Sequence, residues 1–183
     1  MAMNDNSSLA TDYNIGDYVV YPAHGVGQVT AIENQTVSGL SVELYTIVFE
    51  KDRMRLKIPT MKAKNSGLRK ISSAERMASA IETLQGKSKV RRTMWSRRAQ
   101  EYETKINSGD PVAIAEVLRD LKRSNDEQEQ SYSERQIYQS ALKRLAREMA
   151  AVEDITEIKA TELLDDMLGS PQEIKGETGS LAA

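Results

Sequence analysis

The 183-residue sequence contains no cysteine, which removes disulfides, thiolate-bound zinc and thiol catalysis together. It has a single histidine, His24, where a metal site would want several ligands. Aromatic residues are scarce, one Trp, one Phe and seven Tyr, so any core must be built from Leu, Ile, Val, Met and Ala, a composition that favours helices. No apolar run approaches the ~18 residues of a membrane-crossing helix. The polar start MAMNDNSSLATD also lacks the basic-then-apolar pattern of a secretory signal, so a soluble, cytoplasmic protein is expected. The length suits one ordinary domain or two small ones.

The net charge of -2 gives no hint of a polyanionic partner, but the distribution of charge does. The stretch Lys87 to Arg98, KSKVRRTMWSRR, holds six of the twenty-five Lys and Arg, none of the twenty-seven Asp and Glu, and the only tryptophan. Concentrated positive charge in an otherwise acidic chain is the footprint of a nucleic-acid contact. Its basic residues can neutralise phosphates, which gives affinity without sequence choice. Trp95 among them can stack on a base or wedge into a groove. The other reading is a solvated basic loop with Trp95 turned inward as a core anchor, because tryptophan is highly buried on average. Composition leaves both open.

Along the chain, residues 1–13 have no periodicity and read as a flexible lead-in. From Gly16 to Arg69 the runs DYVVYP, GVGQVTAIE, VELYTIVFE and RMRLKIP are short, β-branched or aromatic, and separated by turn signals, which predicts a small barrel or strongly bent sheet. Pro22 and Pro59 end strands, and Pro59 marks Met54–Pro59 as an edge strand. Ser72 with Glu75 has the spacing of a capping box, and Met77, Ile81 and Leu84 then recur at helical spacing until Gly86. Helix resumes at Trp95. Asp110 and Pro111 form an N-cap and first turn ahead of a stripe at Ile114, Val117, Leu118 and Leu121. Ser131 with Glu134 caps a long helix whose inward face is predicted to be Tyr138, Ala141, Leu142, Leu145, Met149 and Val152. Thr156 caps a last helix carrying Leu163, Leu164, Met167 and Leu168, and residues 169–183 read as a disordered tail. The fold class is therefore α+β, a β-rich module over 14–70 followed by an all-α module over 72–168, with no long heptad to argue for more than a monomer.

Nothing in either module points to catalysis. His24 lies in a turn without a partner and reads as structural. Gly86-Lys87-Ser88 copies the end of a phosphate-binding loop, but the first glycine of that motif falls at Ile81 and a helix precedes it where a strand is needed. Gly25-Val26-Gly27 lies between strands and reads as hairpin geometry rather than a dinucleotide loop. The pair Asp165-Asp166 reads as a solvated helix face.

IGDYVVYPAHGVGQV, WSRR, INSGDPVAIAEVLRDLKR and KATELLDDML, met in this order between about Ile15 and Leu168, resemble the CarD/CdnL family of bacterial transcription regulators. The β module also resembles the RNA-polymerase-interacting domain that this family shares with the transcription-repair coupling factor, which implies a Tudor-like fold. The resemblance implies docking on the polymerase β subunit by edge-strand pairing over Met54, Arg55, Lys57, Ile58 and Pro59, with Lys57 as a basic contact and Arg55 on the same face. A further basic contact of some relatives falls on Gln35 here. For the helical module the resemblance implies Trp95 in the minor groove at the upstream edge of the promoter bubble, with Arg91, Arg92, Arg97 and Arg98 on phosphates, and hence stabilisation of the open complex. No cofactor is implied. The alternative from a different class is a general nucleoid-associated or RNA-binding protein that uses the loop 87–98. Finally, Leu181-Ala182-Ala183 looks like a C-terminal signal read by the ClpXP protease.

Overall fold

The computed structural model describes residues 12–122 and 131–169. Residues 1–11 of the expected 1–13 lead-in, the tail beyond Gly169, and with it the Leu181-Ala182-Ala183 motif lie outside these residues. Tyr13, expected at the end of the flexible lead-in, is instead buried in the sheet cluster and donates its hydroxyl to the Leu68 carbonyl at 2.8 Å.

Among the described residues, five strands come first: β1 Tyr18–Tyr21, β2 Gly25–Val37, β3 Leu40–Phe49, β4 Met54–Pro59 and β5 Arg69–Lys70. Five helices follow: α1 Ala74–Gln85, α2 Trp95–Asn107, α3 Pro111–Leu121, α4 Tyr132–Glu153 and α5 Glu157–Gly169. The protein is α+β. The strands form one antiparallel sheet in the order β4-β3-β2-β1-β5, so Met54–Pro59 is indeed an edge strand. The opposite edge, β5, is two residues long and too short for a sequence pattern to show. The β2–β3 hairpin turns at Ser38 and Gly39, both with positive φ, the geometry that matches the twist of the flanking strands. A register shift between Val29 and Ala31 bends β2. Gly27 lies beneath the sheet core, where a Cβ would come within 2.8 Å of both Ile47 and Phe49.

Two apolar clusters form. One, in the sheet, gathers Val19, Val29, Tyr45, Ile47, Phe49 and Ile58. The other, among the helices, gathers Met77 and Leu84 of α1 with Ile114, Leu118, Leu145 and Leu164 of later helices. Helix starts follow local chemistry: Asp110 accepts from the Val112 N–H, and both bonds of the Ser131/Glu134 capping box are made. Thr156 accepts from the Lys159 N–H.

The capping box expected at Ser72 is not formed. The N-cap of α1 is Ser73, which accepts from the Arg76 N–H, while Ser72 gives both its backbone N–H and its hydroxyl to Glu148 of α4. A carboxylate 76 residues away outcompetes the local cap, and no local spacing rule can register that. His24 stacks on Tyr21, with ring centroids 5.6 Å apart, and leans on Phe49.

Candidate nucleic-acid and partner interfaces

The loop between α1 and α2 is not free at both ends. The Lys89 N–H donates to the Asp120 carboxylate of α3 at 2.9 Å, and Asp120 also accepts from Arg119 Nε. Arg91 and Arg92 beyond this anchor are exposed, and no carboxylate among the described residues pairs with either. Helix α2 then begins at Trp95 without a side-chain cap and without an acidic residue in its first turn. Its open N–H groups and the positive end of its dipole coincide with Arg97 and Arg98, a placement unfavourable to the isolated helix that an external anion would relieve.

Trp95 is partly buried and packs against the helical core, so it is neither a free wedge nor a fully enclosed anchor. Its Nε1–H donates to Ser133 Oγ at 3.0 Å, tying the indole to the first turn of α4. The Arg98 guanidinium lies 5.4 Å from the ring centroid, in cation–π range. The Tyr102 ring lies 6.4 Å away on the inner side. Burial, with Asp120, raises the Tyr102 hydroxyl pKa, and Arg98 acts against that rise. Arg97 is exposed and only loosely engaged with Glu101, at 3.9 Å. Two exposed side chains missed in the sequence neighbour the residues of this contact along the chain. Met94 is 79 % exposed next to Trp95, and Tyr132, next to the Ser133 that holds the indole, is 71 % exposed. The signal for Tyr132 was a large aromatic side chain in the first turn of a helix, outside its inward stripe. Between the basic loop, α2 and α3 runs an open cleft of about 700 Å³ lined by Lys89, Arg91, Arg97, Arg98 and Arg119 together with Asp120 and other residues.

On the sheet, Arg55 and Lys57 of β4 are exposed on one face, and Lys57 reaches Glu33 at 3.2 Å. Met54 and Leu56 are partly buried against the sheet cluster. Ile58, expected among the partner contacts, is buried at 7 % exposure. Its side chain belongs to the sheet core, so a strand added here would meet only its backbone. Pro59 closes the edge, and Met61, in the short 3-10 turn that follows it directly, is 83 % exposed. Gln35 is exposed on β2 opposite Val42.

Residues 13–72 match the family model described as the CarD-like/TRCF RID domain, and residues 79–165 match that of the CarD C-terminal domain. YdeB of Bacillus subtilis strain 168, named as a candidate transcription factor, is 30% identical over 145 residues, which is 79% of this chain and 95% of YdeB. The chain belongs to the CarD family. Its class is therefore that of a CarD-like transcription factor carrying an RNA-polymerase-interacting domain. A solution structure of the 72-residue N-terminal domain of Myxococcus xanthus CarD is 37% identical over 31% of this chain and 76% of that one, with a TM-score of 0.28. In this CarD-family protein the two family segments carry one surface each: the β4 edge falls in the first, and Trp95 with its basic surroundings in the second. No helix among the described residues is long and apolar enough to cross a membrane.

Proposed function

We propose that this protein is a non-enzymatic regulator that holds the RNA polymerase β subunit through the β4 edge and promoter DNA through the head of α2. Trp95 meets the upstream edge of the bubble and stabilises the open complex. The observation that carries the reading is the setting of Trp95: an indole fixed by Ser133 and Arg98, next to the exposed Met94, at a helix start preceded by Arg91 and Arg92, which pair with no carboxylate among the described residues. Such an apolar surface gains more from unstacked bases than from a closed duplex. It therefore acts by differential affinity for the open state. A base–aromatic contact is worth ~1–3 kcal/mol, and ~1.4 kcal/mol is a tenfold shift, so one residue suffices to lengthen the life of the complex. Arg91, Arg92 and Arg97 position the contact on phosphates without discriminating between the states.

On this reading the DNA contact is small, and polymerase binding supplies it with a high local concentration. The test is titration of fluorescently labelled protein into polymerase alone, a promoter duplex alone, and the two together. Affinity for the ternary complex well above that for either component supports bridging. Equal, salt-sensitive binding to duplex with and without polymerase would replace it with general nucleic-acid binding.

A further inference from the structure

Helix α4 has a second face. Its apolar stripe enters the helical core, but Arg144, Arg147 and Glu148, on another side of the helix, are all turned toward the β module. Glu148 is only 3 % exposed, and its carboxylate is saturated. It accepts from Arg69 Nη1 at 2.8 Å and Nη2 at 3.0 Å, from the Ser72 N–H at 2.9 Å and from the Ser72 hydroxyl at 2.7 Å. Arg69 also donates to the carbonyl of Gly109, in the α2–α3 turn, where a positive φ of 72° favours glycine. One turn earlier in α4, Arg144 donates to the carbonyls of Pro22, Ala23 and Ile106 at 2.5, 3.3 and 3.2 Å, joining the β1–β2 turn to the end of α2. Between these two, Arg147 faces Asp52 of the β3–β4 turn at 3.8 Å and Glu157 at the start of α5 at 3.6 Å, and Glu157 pairs with Lys51 in the same turn.

The helices are thus clasped at β5, at the β1–β2 turn and at the β3–β4 turn. Three separated attachments fix the orientation of one body on another. An ion pair with a buried, fully hydrogen-bonded carboxylate and a partly exposed guanidinium is poor evidence for stability, since apolar residues of the same volume often do as well. Its best-attested use is to specify one geometry among several. The sheet order adds a second point, because β5 and β4 are opposite edges. A partner strand added at β4 leaves the Glu148 clasp beside β5 untouched.

We propose that Glu148, with Arg69, Ser72 and Arg144, acts as a positioning latch that makes the β and helical modules one rigid arm, holding Trp95 at the fixed distance and angle that the open complex requires. The proposal rests on the bridging function above. It assigns the latch residues no contact with DNA or polymerase.

The test uses the full chain with Glu148→Gln and Arg144→Met, and with the milder Ser72→Ala in case either fails to fold. Because the protein has no cysteine, spin labels at Ser38→Cys and Glu162→Cys report the distance between the modules without background. The native protein is expected to give one narrow distance distribution. The variants should broaden it, keep their polymerase affinity within about twofold, and lose roughly threefold or more of the open-complex lifetime gain, because the effective concentration of Trp95 at the bubble falls. A narrow distribution in the variants, or a broadened one with the full lifetime gain retained, overturns the latch. If the native protein itself fails to lengthen the lifetime, the bridging reading fails instead, and the distance distributions still decide whether the clasp sets the geometry.

Discussion

The four arginines around Trp95 are expected to differ in how they respond to salt. Arg91 and Arg92 are exposed without an ion-pair partner among the described residues, so each is free to neutralise one phosphate. Arg97 has only the exposed Glu101 at 3.9 Å, a pair worth at most a few tenths of a kcal/mol, and yields readily to a phosphate. Arg98 is committed to the Trp95 ring. Each neutralised phosphate contributes a slope of about -0.9 on a log–log plot of the contact constant against salt, or roughly threefold between 50 and 200 mM. Arg91→Ala and Arg92→Ala should therefore each flatten the salt dependence by about one unit, while Arg98→Ala should lower the effect at every salt with little change of slope. The assay is the ratio of the protein's affinity for the polymerase–promoter complex to its affinity for polymerase alone over a salt series, which isolates the DNA contact constant. Unchanged slopes in Arg91→Ala and Arg92→Ala together with a flattened one in Arg98→Ala would refute this division of roles.

Other consequences follow from the same geometry. Gly27→Ala should destabilise the protein by about 1–3 kcal/mol, because the new methyl group would overlap Ile47 and Phe49; a lowered urea midpoint at unchanged m-value is the check, and an unshifted midpoint contradicts the packing. Burial, with Asp165 adding to it, pushes the Tyr138 hydroxyl up to about 12. The fold therefore favours the neutral phenol, and the stability this contributes is complete below pH ~10 and is lost as the pH rises toward 12. Urea midpoints compared at pH 9 and 11 should fall less in Tyr138→Phe than in the native protein, and equal falls would sink the assignment. Arg55→Glu with Lys57→Glu should weaken polymerase capture, while thermal stability changes little because only the exposed Lys57–Glu33 pair is lost.

Elements with local causes were legible in the sequence. Asp110-Pro111 and the Ser131/Glu134 pair start helices where their spacing says they should, and the proline at 59 marks the edge strand. What was hidden depends on distant partners. Charged residues on an amphipathic helix read as solvent-facing, so Glu148, Arg144 and Arg147 gave no sign that they form the seam between sheet and helices. The same partner explains why the first helix is capped by Ser73 and not Ser72. The basic footprint was visible as composition. Whether its tryptophan faces in or out was not, because the answer lies with Ser133 and Tyr102, side chains on α4 and two turns further along α2. Tyr132 was overlooked for a related reason: an exposed aromatic acquires meaning only once its neighbour Ser133 is seen to hold the indole.

The central claim is that Trp95 makes the contact that favours the open state. The most direct measurement is the lifetime of a competitor-challenged open complex at one fixed salt, with no factor, with the native protein and with Trp95→Ala, alongside polymerase binding by each. The lifetime should be longer with the native protein and shortened about tenfold or more toward the factor-free value in Trp95→Ala, with polymerase affinity preserved. A lifetime gain that survives loss of the indole would contradict it.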